Sequence, residues 1–333
     1  MKYFVLRTES AQMTSHSPLI AFLFPGQGSQ SVGMGRELAA LYPVARETFD
    51  EADAALGYKL SQVCFEGPEE KLKLTEITQP AILTVSIAAW RVLQSKGITP
   101  RWVAGHSLGE YSAHVAAGTL SFADAVRTVR NRGKYMQEAV PVGVGAMAAV
   151  LLLAADKLQL VCQEAAQGEV CCAANLNSPD QTVISGNKAA VERAAELAKK
   201  SGAKRAIMLP VSSPFHCALM QPAQDRLAAD LAALTFHNPE FPVMGNVDAA
   251  LITSADQARD ALVRQVTGAV QWHNSMLALA AAGAKEFVEV GPGKVLCGLL
   301  KQIDRSLTCM NVEDEASLQK TINHLGPASP KPD

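Results

Sequence analysis

Gly105-His106-Ser107-Leu108-Gly109 has the sharpest chemical potential in this 333-residue chain. A G-x-S-x-G turn between a strand and a helix is a nucleophile elbow. Its glycines permit a tight, strained turn, and the serine hydroxyl is lifted to the top of a sheet. The helix behind it aims backbone N–H groups and a positive dipole end at developing negative charge. The competing explanation is a chance match at an ordinary strand–turn–helix. A serine nucleophile also needs a base. Of the seven histidines, His216 lies in Ser212-Ser213-Pro214-Phe215-His216-Cys217, a turn-prone stretch after a strand, where loops over a sheet carry function. His106 adjoins the nucleophile, but its place in the elbow suits it to lining the pocket rather than taking the proton. The residues alone leave His216 open between a base and a histidine satisfied by packing.

The elements that must position these groups follow an α/β rhythm. Residues 19–24 read as a buried strand running into the Gly-rich turn Pro25-Gly26-Gln27-Gly28-Ser29-Gln30, then a helix over 34–42. A helix is expected over 77–96, with Pro80 near its first turn and Gly97 as its stop. A short strand, 102–104, leads into the elbow, and 110–117 continues as helix. Ser121 starts the next helix, with Asp124 in a capping-box-like position. On it Ala125, Val129, Arg132 and Met136 recur at i, i+4, i+7 and i+11 and share one face, whereas Arg127, Arg130 and Lys134 take a solvated one. An arginine on an apolar stripe needs an anionic partner, and its planar fork matches a carboxylate. An intramolecular salt bridge is the alternative.

From residue 146 the order becomes strand 146–153, helix 155–166, strands 170–174 and 181–185, helix 189–200 and strand 205–211. This β-α-β-β-α-β order is the signature of a ferredoxin-like unit. The larger α/β pattern then resumes, with a late strand at 287–290 entering Gly291-Pro292-Gly293.

Composition excludes several classes. The chain is 48% hydrophobic and 19% charged, enough to bury a core, and its formal net charge of -2 gives no field that favours nucleic acid. Seven cysteines, an odd number with no Cys-x-x-Cys pair, argue against a disulfide framework or structural zinc and for reduced thiols. The longest apolar stretch, 145–155, is too short to span a bilayer. No signal-peptide pattern is present. The polar stretch before Ser17 and the Pro-rich tail 326–333 read as flexible, and Met13 is an alternative start.

Six ordered motifs resemble one family: Phe24-Pro25-Gly26-Gln27-Gly28-Ser29-Gln30, Gly105-His106-Ser107-Leu108-Gly109-Glu110-Tyr111-Ser112, Arg132-Gly133-Lys134-Tyr135-Met136-Gln137, Asn175-Leu176-Asn177-Ser178-Pro179, His216-Cys217-Ala218-Leu219-Met220 and Glu289-Val290-Gly291-Pro292-Gly293. Spanning about 18–311, they resemble the malonyl-CoA:acyl carrier protein transacylases and polyketide synthase acyltransferase domains. The resemblance implies a malonyl ester on Ser107, with His216 as general base and acid and coenzyme A as leaving group. A carrier protein's phosphopantetheine thiol is then the acceptor. It implies an oxyanion hole from the backbone N–H groups of Gln27 and Leu108, and Arg132 paired with the malonyl carboxylate. Gln265 matches the position whose backbone carbonyl orients the histidine. That makes a Ser-His dyad, although Asp124, Asp156 and Asp180 are available as triad acids. His106, Met136 and Phe215 would line the acyl site. Phe215 departs from the small residue of many fatty-acid members and matches malonyl-selective polyketide domains, where its ring would crowd a methyl branch; plain core packing is the alternative.

The expected architecture is an α/β-hydrolase-like core, 17–144 and 212–325, carrying an inserted ferredoxin-like subdomain, 145–211, with the site between them. No metal or redox cofactor is implied, nor a membrane. The resemblance implies a cytoplasmic monomer that meets an acidic carrier protein through a local basic patch. The rivals are a serine thioesterase that edits carrier-bound acyl groups and a catalytically silent docking partner.

Overall fold

The computed structural model describes residues 19–211 and 213–326. The expectations for residues 1–16, for Met13 and for the tail beyond Gly326 lie outside the described residues. The chain is mixed α/β, with one mainly parallel sheet and one separate antiparallel sheet.

The first sheet is built from β1 (Ile20–Phe24), β2 (Trp102–Gly105), β7 (Val243–Met244), β8 (Leu251–Ile252), β9 (Glu286–Val290) and β10 (Thr308–Val312), in the order β10-β9-β1-β2-β7-β8. β1 is central and pairs in parallel with both β2 and β9. All five of its residues are buried, because helices cover both faces of a parallel sheet. Alternation then sorts its side chains. Ile20, Phe22 and Phe24 enter the core beneath helix Thr75–Ser95, while Ala21 and Leu23 meet Trp272, Met276 and Leu300 on the opposite face. Only the edge pair β7–β8 is antiparallel.

The second sheet contains β3 (Gly145–Leu151), β4 (Cys171–Ser178), β5 (Gln181–Asn187) and β6 (Arg205–Met208), ordered β4-β5-β3-β6 with every neighbour antiparallel. Helices Ala155–Ala166 and Lys188–Lys200 cover one face through Ala148, Val150, Ile184, Val161 and Val191. The other face, with Met147, Ala149, Ala174 and Val183, packs on Val211 and Phe215. β4 is tied to the parallel layer by Leu176 N–H donating to the Val270 carbonyl (2.9 Å) and Val270 N–H to that of Ala174 (2.8 Å).

Two sequence expectations need correction. β6 ends at Met208 rather than 211; Pro210 has no N–H to give a ladder. Cys297 and Cys309 are disulfide-bonded rather than reduced, because helix Val295–Ile303 and β10 bring their Cα atoms to 5.4 Å across a separation of 12 residues. Cys64, Cys162, Cys171, Cys172 and Cys217 are free. Among the described residues no helix is long and apolar enough to cross a membrane, and no His/Cys/Asp/Glu group could hold a metal ion.

Candidate active site

The elbow is made by close backbone packing. A Cβ on Gly109 would lie 2.0 Å from the Phe24 carbonyl oxygen, and one on Gly105 would lie 1.9 Å from that of Gly109. Only glycine lets helix Leu108–Ala116 cross β1 and β2 so tightly. Ser107 is driven to φ 51°, ψ -107°, a strain of order 1–3 kcal/mol that the surroundings must hold. Asn246 braces it: its Oδ1 accepts from Ser107 N–H at 2.7 Å and its Nδ2 donates to the Gly105 carbonyl at 2.7 Å.

His216 Nε2 stands 2.7 Å from Ser107 Oγ. Its Nδ1 faces the carbonyls of Gln265 (2.9 Å) and Gly268 (3.1 Å). Two carbonyls can only accept, so Nδ1 carries the proton and Nε2 is free to receive one from Ser107. Burial, reinforced by the charge of Arg132, pushes the imidazole down to about 3, so it is neutral near pH 7. None of the three candidate triad acids takes part. Ser121 caps the helix by accepting from Asp124 N–H, while the Asp124 carboxylate accepts from Ser121 and pairs with Arg127; Asp156 accepts from Lys157 N–H, and the Asp180 backbone carbonyl accepts from Leu152.

Arg132 shares its buried stripe with Ala125, Val129 and Met136 and is only 2% exposed. Its guanidinium donates to Gln79 Oε1 (2.7 Å), Gln265 Oε1 (3.0 Å) and Ser107 Oγ (3.1 Å) and lies 5.6 Å from the centre of the Tyr111 ring. These hydrogen-bond partners are neutral, and Nε is buried and unpartnered among the described residues. A buried cation held this way retains its charge for an anion.

The other expected residues surround this cluster. His106 Nε2 meets Asn177 Oδ1 at 2.8 Å, its ring packs near Trp272, and burial pushes its pKa down. Leu108 opens its helix, so its N–H has no intrahelical acceptor. Gln27 is exposed and follows Gly26, whose added Cβ would lie 2.4 Å from the His106 carbonyl, which sets the Gly-rich loop against the elbow. Met136 is buried beside Gln79. Phe215 is half-buried between the core of the parallel layer and the inner face of the second sheet.

Sequence reading passed over Asn246, Gln79, Glu110 and Gly268 as site components. Gln79 left one signal, a polar residue in a helix buried nearly all round. Asn246 follows a two-residue strand with no readable pattern.

Comparison with known proteins decides the family. The acyl transferase domain family matches residues 21–325. The malonyl CoA-acyl carrier protein transacylase of Salmonella typhimurium is 54% identical over 303 residues, covering 91% of this chain and 98% of that protein. Its Bacillus subtilis counterpart is 50% identical over 307 residues, covering 92% and 97%. This chain belongs to the malonyl-CoA:acyl carrier protein transacylases. Solved transacylase structures agree. That of Coxiella burnetii superposes with a TM-score of 0.90 at 46% identity, covering 92% of this chain and 97% of that one. A malonyl-transacylase solved in complex with a type II polyketide acyl-carrier protein gives 0.90 at 48% identity, covering 92% and 100%.

Proposed function

We propose that this transacylase carries malonyl groups from coenzyme A to the phosphopantetheine thiol of an acyl carrier protein through an ester on Ser107. Ser107 Oγ gives its proton to His216 Nε2 as it attacks the thioester carbonyl. The backbone N–H groups of Gln27 and Leu108 receive the oxyanion. Collapse expels the coenzyme A sulfur, which takes the proton back from His216. The carrier thiol then gives its proton to His216, attacks the ester and releases Ser107, which recovers that proton. The carbonyls of Gln265 and Gly268 favour the transient imidazolium without a carboxylate.

The observation that carries the acyl choice is Arg132. Its guanidinium is buried, has neutral hydrogen-bond partners and sits 3.1 Å from the nucleophile, so it suits a carboxylate two carbons from the reacting carbonyl. Phe215 lies at the same seam and would crowd an α-methyl branch, a discrimination of about 1–3 kcal/mol. Intact-protein mass spectrometry after brief exposure to malonyl-CoA is the test. The expected result is a malonyl adduct that is absent in Ser107→Ala and passes to added carrier protein. Release of coenzyme A with no adduct and no transfer would instead mean a thioesterase.

We also assign 17–144 and 212–325 to an α/β-hydrolase-like core and 145–211 to a ferredoxin-like subdomain. The β4-β5-β3-β6 order, with both helices on one face, supports the latter. The proposed setting is a cytoplasmic monomer that supplies malonyl units for fatty-acid or polyketide synthesis. The dyad needs neither a metal nor a redox cofactor.

A further inference from the structure

Glu110 is fully buried on the first turn of the elbow helix, and the mechanism above gives it no part. Its Oε2 accepts from Gln265 Nε2 at 2.6 Å and from Asn246 N–H at 3.3 Å. One carboxylate thus touches both segments that hold the elbow and the histidine. Gln265 Nε2 also donates to the Ser107 carbonyl at 2.9 Å, while its Oε1 accepts from Arg132 at 3.0 Å. A primary amide has one donating and one accepting end, and Arg132 only donates. If the Gln265 amide turned over, its NH₂ would face the guanidinium and its oxygen would face two acceptors.

We propose that Glu110 is a positioning residue: by accepting from Gln265 Nε2 it fixes the amide so that its oxygen faces Arg132, and it thereby sets the guanidinium for the acyl carboxylate. The device separates position from charge. The carboxylate stays one side chain behind Arg132, so the cation is oriented without being neutralised. A carboxylate at position 265 would pair with Arg132 directly and cancel the charge that an anionic acyl group requires. Gln79 supplies the second neutral oxygen, at 2.7 Å. His114 lies 4.0 Å from Glu110 Oε1 on the same helix, and Arg132 and Arg264 also act on the carboxylate by charge.

The inference rests on malonyl binding by Arg132, so its test compares malonyl-CoA with acetyl-CoA in pre-steady-state acylation of Ser107. In Glu110→Gln the 110 side chain gains a donor end, and the Gln265 amide is no longer held one way. The malonyl-over-acetyl ratio of kcat/KM should fall about tenfold, equivalent to about 1.4 kcal/mol, with acetyl transfer changed about twofold or less. Gln265→Ala, which also loses the bond to the Ser107 carbonyl, should lower transfer of both acyl groups, malonyl more than acetyl. In an Arg132→Ala background, Glu110→Gln should leave the ratio unchanged. An equal loss with both donors, or an undiminished effect in that background, overturns the positioning role. A wild-type ratio near one would instead overturn malonyl recognition itself. Thermal unfolding of each variant excludes loss of fold as the cause.

Discussion

The elbow and the turn after helix Ala155–Ala166 treat glycine in opposite ways. At the elbow, Gly105 and Gly109 have backbone within 2.0 Å of any added Cβ. In the small unit, Gly168, in the turn after helix Ala155–Ala166, has nothing within 4 Å and needs glycine only for its φ of +89°. The first kind holds a reacting atom by steric exclusion, and the second merely reverses the chain. The reacting atom sits where backbone meets backbone, and the small sheet adds Asn177, which meets His106, and the face that packs on Phe215.

The strongest way to break this contrast is to add one methyl to each region. Gly109→Ala drives Cβ into the carbonyl of Phe24, an atom of the central strand that has no rotamer to change. It should destabilise the protein by about 4 kcal/mol or more. Gly168→Ala pays only for left-handed backbone, about 1–2 kcal/mol. Denaturant midpoints of the two variants measure the difference, and similar losses would remove the distinction between the two glycines.

Hydrogen bonds give the next step down. Asn246→Ala leaves Ser107 N–H and the Gly105 carbonyl without their brace, so about 1–3 kcal/mol should appear in stability and in the acylation rate together. Asn177→Ala frees only the outer nitrogen of His106. Its effect should be an increase in KM of about threefold, with kcat nearly constant, as for a group that shapes binding alone. Steady-state kinetics of both variants would sharpen the comparison. A larger kcat loss from Asn177→Ala than from Asn246→Ala would reverse it.

How far the sequence disclosed this site depends on the same contrast. Ser107 and Arg132 stood out by local pattern, a glycine-bounded turn and an arginine on an apolar helical stripe, whereas a turn after a strand left His216 open and only the motif resemblance singled it out. The β-α-β-β-α-β order was legible through periodicity, with only end residues misplaced. Asn246, Gln79 and Glu110 act through contacts 139, 53 and 155 residues away along the chain. No spacing encodes such contacts. The Cys297–Cys309 pairing was illegible for the same reason: β10 had no reading of its own, so nothing placed it beside the helix that follows β9.

The smallest expected effect is an absence of change, and it tests whether the site environment governs the dyad. An ordinary histidine has a pKa of about 6.5 and would lose its base function below that pH. Burial and Arg132 hold His216 down to about 3, so it stays neutral far into acid. Stability cannot report this cleanly. His216 and His114, both pushed to about 3, destabilise the fold as pH falls below the ordinary histidine value, because only the unfolded chain takes up those protons. Glu110 and Glu289, raised to about 7 by burial, act oppositely, since the folded chain keeps protons that the unfolded chain releases between about pH 4.5 and 7. The rate of Ser107 acylation by acetyl-CoA avoids that offset and carries no acyl carboxylate to titrate. Between about pH 7.5 and pH 5.5 it should change less than about twofold. A fall with an apparent pKa near 6.5 that vanished in Glu110→Gln would belong to Glu110. One that persisted in that variant would belong to His216, and would mean that the buried dyad is solvated when it works.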